Sequence, residues 1–284
     1  LQKKKIPAFM VNGRISDGSF ERYRKLSFFF RPLFTTFCAI SMQTEKDARK
    51  MISLGVPAEK VHPLGNLKYD SLIRGKNSAL GTAADFGISE KKMTWIAGST
   101  HPGEEELIFK VHKRLLDTFP DLFLVVAPRN IERADEVIRL AEDQGLCAVR
   151  KSKLVPSEPQ VLVLDTLGEL NTCYSLADIA FVGGTLVPAG GHNPLEPAVH
   201  GIPVLFGPHM EDFSEIKRDI LEARAGIMIK DSEALFFRIK KNLSDLEERK
   251  SYGERARLFV RQHQGVTENH LNIVSKILEE REFI

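Results

Sequence analysis

A chain of 284 residues, 43% hydrophobic and 27% charged, has the composition of an ordinary globular protein and a length beyond one typical domain. Three widely spaced cysteines (Cys38, Cys147 and Cys173) make neither a disulfide framework nor a zinc site, and are expected as small buried hydrophobes in a reducing compartment. No apolar run reaches the roughly 18 residues a membrane span needs, and the absence of an arginine-rich stripe argues against nucleic acid.

The net charge of +2 is unevenly spread, because residues 1–31 hold eight Lys/Arg against two Asp/Glu. Next to Phe28-Phe29-Phe30 and Leu33-Phe34, this basic start has two readings. One is peripheral contact with an anionic membrane surface; the other is a solvated helix end beside an ordinary core cluster. Leu1 is not Met, and Gln2-Lys3-Lys4-Lys5 runs directly into an apolar segment, as in the middle of a helix–strand unit. The sequence is therefore expected to be a fragment.

Short apolar strands alternate with amphipathic helices. Ile6 to Val11 reads as a strand, Ser19 to Leu33 as a helix and Thr36 to Ile40 as a second strand. Thr44 to Leu54 is a helix with Thr44 as cap and Asp47 at its third position; Gly55 closes it, and Val61 to Leu64 begins a third strand. Residues Arg74 to Ala84 read as a linker. A second series follows, with strands at Lys92–Ala97, Leu122–Ala127, Cys147–Val149, Val161–Leu164, Ile179–Val182 and Pro203–Phe206. Between the first of these lie helices at Pro102–Thr118, opened by Glu104, Glu105 and Glu106 at its positive end, and at Ile131–Gln144. Longer helices close the chain at Asp231–Asp245, Leu246–Gln264 and Thr267–Glu280. Near-continuous apolar strands joined by helices predict α/β architecture with parallel, doubly covered sheets. The expected domains are residues 1–80, residues 81–266, and a final helix, 267–284, whose Leu271, Ile273, Val274 and Ile277 pack in a core, in one case by crossing back to the first domain.

Ligands of such sheets sit beyond the carboxyl ends of the strands. The loops there are Gly98-Ser99-Thr100-His101, Pro128-Arg129-Asn130, Asp165 to Glu169, and Gly183 to Pro197. The last carries four glycines between a strand and a helix, which lets backbone approach a ligand closely. Helical N–H groups near Pro194 are expected to face an anion, with Asn193 capping and Glu196 reaching a sugar hydroxyl. Arg129 suits a bidentate phosphate grip. His101 and His192 are placed either to donate to phosphate or to be satisfied by backbone, and His62, His112 and His209 are read as structural. This pattern points to a nucleotide-sugar site. No Asp-x-Asp pair or His/Asp/Glu trio at ligand spacing occurs, as suits a monophosphate donor that needs no divalent ion. A G-x-S-x-G elbow is also absent.

Taken in order, several segments resemble the bacterial 3-deoxy-D-manno-octulosonic acid (Kdo) transferases of lipopolysaccharide synthesis. They are Val11 to Ser16, Gly65 to Asp70, Ala97 to His101, Ala127 to Arg129, Leu167 to Leu170 and Gly190 to Pro197. The resemblance implies two Rossmann-like domains of the GT-B glycosyltransferase type, the first incomplete here. It implies transfer of Kdo from CMP-Kdo to a lipid A precursor with inversion, without a metal cofactor, at the cytoplasmic face of the bacterial inner membrane. CMP contacts fall on Pro128, Arg129, Leu167, Gly168, Glu169, Asn193, Pro194, Leu195 and Glu196. Ser99, Thr100, His101, Gly183 and Gly184 are weaker candidates, and Lys68 matches a transition-state stabiliser. The family's glutamate base and membrane anchor precede anything present here, so the chain by itself is expected to bind CMP without a base. Two alternatives remain: a UDP-sugar transferase or epimerase of the same fold, and a binding module without catalysis.

Overall fold

Strands and helices alternate through the residues described by the computed structural model (6–72, 81–89, 92–153 and 159–280), and they sort into two units. One is Leu1–Arg74 with His263–Ile284; the other is Gly75–Gln262. The basic tripeptide Lys3–Lys5 and most of the expected linker (74–80) lie outside the described residues.

In the first unit a parallel sheet of order β1-β2-β3 is built from β1 (Phe9–Gly13), β2 (Ala39–Met42) and β3 (Val61–Pro63). The first strand begins later than expected. Pro7 has no N–H for the ladder, and pairing with β2 starts at Phe9. The helix expected over 19–33 is two, α1 (Asp17–Lys25) and α2 (Ser27–Thr35), broken at Leu26 (φ −108°, ψ 33°). Thr36 prolongs the end of α2, its hydroxyl donating to Leu33 O at 2.6 Å, and this delays β2 to Ala39. Helix α3 (Glu45–Ser53) starts as read from sequence: Asp47 N donates to Thr44 Oγ1 at 3.1 Å, and Gly55 ends it at φ +89°. Its apolar side packs with Ile40, Met42 and Val61 of the sheet.

In the second unit seven parallel strands follow the order β10-β9-β8-β4-β5-β7-β6. They are β4 (Thr94–Thr100), β5 (Phe123–Pro128), β6 (Ala148–Arg150), β7 (Val161–Val163), β8 (Ile179–Val182), β9 (Val204–Phe206) and β10 (Ile227–Met228). Alternation sends Trp95, Ala97, Leu124, Val126 and Phe181 into one core. Ile96, Val125, Ala127, Leu162 and Ala180 enter the other. Helices α4 (Glu105–Leu116), α5 (Ala134–Asp143) and α9 (Ser232–Ser244) cover the first face, and α6 (Leu170–Leu176) the second. Single-turn α7 (Leu195–Ala198), α8 (Ser214–Glu222) and α10 (Leu246–Gln262) complete the unit. Sequence order reverses at β4, which has β5 on one side and β8 on the other. That junction is the switch point where a doubly wound sheet opens a crevice at its carboxyl edge.

Helix α11 (Val266–Glu280) belongs to the first unit, against β2 and the short helix Leu67–Leu72. Its buried face is led by Val266 and His270. Leu271, expected in a core, is 60% exposed because it falls one position off that stripe. Cys147 is exposed rather than buried, whereas Cys173 is buried and its thiol is pushed up to about 12, chiefly by desolvation.

Candidate functional site

Loops from β4, β5 and β8 meet at the switch point. Strand β4 ends with a register shift between Gly98 and Thr100, and Ser99 there adopts φ +58°. A serine in the left-handed region is held by its surroundings. Gly98 has no room for a side chain: a Cβ would lie 2.0 Å from the buried Tyr174 hydroxyl. A Cβ on Gly183 would meet Ser99 O at 2.4 Å, so the β4 and β8 loops touch through their backbones.

Glu104 and Glu105, expected as charges at the positive end of a helix, act differently. Glu104 is fully buried and accepts four backbone N–H bonds. His101 (3.0 Å) and Gly184 (2.7 Å) donate to one oxygen, Thr185 (3.0 Å) and Leu186 (2.9 Å) to the other. Gly183 N donates to Gly98 O. The amides of Gly184, Thr185 and Leu186 thus close on an internal carboxylate. Glu105 is also fully buried; it accepts from Thr100 Oγ1 and Arg133, so the Thr100 hydroxyl points inward. Neither acid is a simple helix-start charge. The available signal was the spacing His101-x-x-Glu104, a turn in which a residue-three acid reaches back to an N–H, as in a capping box.

What remains outward is a set of side chains. His101 Nε2 and His192 Nε2 are 2.8 Å apart, their rings stacked at 25°, on either side of Gly184. Arg129 is exposed after β5, its backbone N bonded to Thr100 O. Its guanidinium is near enough to Glu196 and His192 to influence both. Burial raises the Glu196 carboxyl, and Arg129 opposes that rise. His192 is lowered to about 4 by burial first, then by His101 and Arg129, with Asp212 opposing. Asp212 stands beneath Gly190, where a Cβ would meet its Oδ2 at 2.6 Å. Asn193 Oδ1 accepts from Leu195 N at 3.1 Å. Pro194 precedes the helix, but α7 is one turn and has little dipole to offer an anion, contrary to expectation.

The loop after β7 contributes Leu167, Gly168 and Glu169. Leu167 is 82% exposed, Gly168 takes φ +84° with open space where a Cβ would be, and Glu169 accepts from the Thr166 hydroxyl with Lys151 Nζ 3.8 Å away. Pro128 is buried as the last residue of β5. Lys68 belongs to the first unit, exposed on the short helix Leu67–Leu72, with its N–H bonded to Asn66 Oδ1. In that unit the motif residues hold one another. Asn12 (φ +55°) accepts from Leu67 N, and Asp70 accepts from Gly265 N and Thr267 N. Among the described residues, no three His, Cys, Asp or Glu side chains are grouped to hold a metal ion.

The parallel two-unit α/β fold, with a crevice-edge loop cluster in the second unit, is that of GT-B glycosyltransferases. The comparisons narrow this: the chain is similar to the 3-deoxy-D-manno-octulosonic-acid transferase (Kdo transferase) family. The family's N-terminal glycosyltransferase model matches residues 1–71. The chain is 34% identical to the Kdo transferase of Haemophilus influenzae, over 97% of its own length and 65% of that protein's. Against the Aquifex aeolicus Kdo transferase it is 34% identical over 84% of its length and 61% of the relative's. The chain thus spans less than two thirds of these relatives. Among solved structures, the C-terminal CMP-Kdo binding domain of WaaA from Acinetobacter baumannii matches with a TM-score of 0.58 and 27% identity. That match covers 69% of this chain and 99% of the domain. The UDP-GlcNAc 2-epimerase of Neisseria meningitidis shares the fold alone, with a TM-score of 0.61 at 13% identity over 98% of this chain and 70% of the epimerase.

Proposed function

We propose that the second unit binds CMP-Kdo and serves a transferase that passes Kdo to a lipid A precursor with inversion. The supporting observations are the match of 69% of this chain to 99% of a CMP-Kdo binding domain and the strand-end loops of the second unit, which gather Arg129, Glu196 and Asn193 at one edge. In this reading Arg129 grips the phosphate. Glu196, whose carboxyl is raised by burial against the pull of Arg129, and Asn193 address the ribose. Exposed Leu167 and the open backbone at Gly168 offer a surface for the base, with Glu169 at its rim, while Pro128, Pro194 and Leu195 shape the wall.

Lys68 is proposed as the cation that meets charge on the leaving phosphate. Its Ala variant should lower kcat while CMP affinity is kept. The donor carries a single phosphate, so we propose that no metal cofactor takes part, and EDTA should leave CMP affinity within about tenfold.

The acceptor side is proposed to work at an anionic membrane surface, at the cytoplasmic face of the inner membrane. Supporting this are Phe28 (79% exposed), Phe29 (62%) and Leu33 on α2, beside Arg22, Arg24 and Lys25 in the last turn of α1. Among the described residues no helix is long and apolar enough to cross a membrane. Replacing Phe28 and Phe29 with serine should reduce flotation with phosphatidylglycerol vesicles.

Thermal shift with CMP against UDP tests the donor. At 100 times its dissociation constant a ligand stabilises by about 2.7 kcal/mol, so CMP should raise the melting point and UDP should not; the reverse sinks the assignment. Arg129→Ala should weaken CMP by about 1.5–3 kcal/mol, the range for a hydrogen bond to a charged group. Kdo incorporation into a tetra-acylated lipid A precursor tests the whole reaction.

A further inference from the structure

The turn that carries Arg129 is closed into a ring by one residue of β4. One step of β5, from Ala127 to Pro128, is matched by two steps of β4, from Gly98 to Thr100, so the extra residue Ser99 brings Thr100 level with Pro128. The Thr100 carbonyl then accepts from Arg129 N at 2.9 Å, which ties down the start of the turn. Asn130 folds the turn on itself: its Oδ1 accepts from Glu132 N at 3.0 Å and its carbonyl from Arg133 N at 3.1 Å. The Arg133 guanidinium closes the ring. Its Nη1 donates to Glu105 Oε1 at 2.8 Å, and the same oxygen accepts from the Thr100 hydroxyl at 3.0 Å. The other side of the guanidinium holds Glu136 on α5 by two bonds, at 3.1 and 2.8 Å. Thr100 therefore anchors both ends of the turn, by its carbonyl and, through Glu105, by its hydroxyl.

The Glu105 side chain is fully buried and that of Arg133 nearly so. A buried ion pair is a poor way to add stability, but the planar fork of arginine fixes direction as well as distance. Thr100, Glu105 and Arg133 are spent on the ring, whereas the Arg129 side chain is exposed beside Glu196 and His192. An arginine side chain spreads over many rotamers, so a two-pronged phosphate contact gains from a backbone set before the ligand arrives. Resting on the nucleotide reading above, we propose that Thr100, Glu105 and Arg133 are positioning residues for the phosphate grip. They touch no ligand and act by holding the backbone from which Arg129 reaches the phosphate. Thr100 thereby leaves the set of ligand candidates, and the contribution of all three is felt at the phosphate, not at the base or ribose.

Affinities of the full chain for CMP and cytidine, measured for the parent, Arg133→Gln, Arg129→Ala and the double variant, test this. Arg133→Gln should weaken CMP roughly five- to tenfold, the scale of coupling between residues of one network. It should leave cytidine, which lacks the phosphate, unchanged. In the Arg129→Ala chain the same substitution should cost CMP nothing further. That pattern separates positioning from general support, because a loosened unit would lose both ligands, with or without Arg129. If Arg133→Gln does not fold, since it leaves Glu105 buried without its counter-charge, Thr100→Val takes its place in the cycle. That variant keeps the shape without the hydroxyl, and the same pattern is expected of it. Equal loss of CMP and cytidine, a loss that persists without Arg129, or unchanged CMP affinity overturns the proposal and leaves the nucleotide site standing. An Arg129→Ala chain that binds CMP as the parent does takes Arg129 off the phosphate, and the proposal falls with it. No binding of CMP by the parent overturns the nucleotide reading itself.

Discussion

The two units use polar strand-end loops to opposite ends. In the first, the motif residues are consumed in self-attachment: Asn12 receives Leu67 N, Asp47 receives Ile15 N, and Asp70 receives the amides that open α11. In the second, one deeply buried acid bonds the loop amides of His101, Gly184, Thr185 and Leu186, which leaves Arg129 exposed and His101, His192 and Glu196 half-buried at the same edge. Glycine-rich, polar loops at strand ends are thus of two kinds, those whose side chains are spent on framework bonds and those whose side chains are left over. Hydrogen-bond accounting of the amides separates them where residue type does not.

The comparison is broken most severely by removing the internal anion. Glu104→Leu would strand four buried N–H groups, each worth about 1–3 kcal/mol when left unpaired. Even with relaxation the loss should be at least about 4 kcal/mol, and melting of the second unit should fall by roughly 10 °C. Glu104→Gln keeps one acceptor oxygen and should fall between. If Glu104→Leu melts with the parent, the turn is held by something else and the contrast between the units fails.

Sequence carried the framework further than the site. Ile179–Val182 was legible as a strand at its observed bounds because a strand buried on both faces is a plain apolar run. The Thr44 cap was legible because its partner is three residues away. Glu104 was legible only in its local bond from His101 N: its other three partner amides lie 80 to 82 residues on, and by local rules three acids at a helix start are dipole partners. The His101–His192 contact spans 91 residues and has no local signal beyond the presence of two loop histidines. The break at Leu26 was hidden too, since the apolar pattern of α1 and α2 continues across it.

Acid should separate the units next. His112 is fully buried, with Trp95 Nε1 donating to its Nδ1 at 3.1 Å and its Nε2 facing Gln160 O at 3.2 Å. Burial depresses it to about 4, against an ordinary value of 6.5. Above pH 6.5 the folded and unfolded chains both hold it neutral, so it has no effect there. As pH falls from 6.5 towards 4 the unfolded chain binds the proton first, and stability is lost by roughly 3 kcal/mol. Trp95 is the sole tryptophan and reports the second unit by fluorescence. Its melting midpoint should drop across that window, and a flat profile would mean the imidazole is accommodated as a cation.

The gentlest test lies in the first unit. Asp70→Ala removes the acceptor for Gly265 N (2.8 Å) and Thr267 N at the start of α11. A lost helix-start carboxylate costs about 1–2 kcal/mol, part cap and part dipole. Other contacts persist, among them His270 with Asn12 N and the stacking of Tyr69 on His263, so α11 should stay folded but open more often. Amide hydrogen exchange should quicken about tenfold across residues 266–280 and stay unchanged in β4, β5 and β8. Unaltered exchange in α11 would show that Asp70 is a bystander. Equal acceleration in the second unit's strands would show that the two sets of loops are held by one shared framework rather than two.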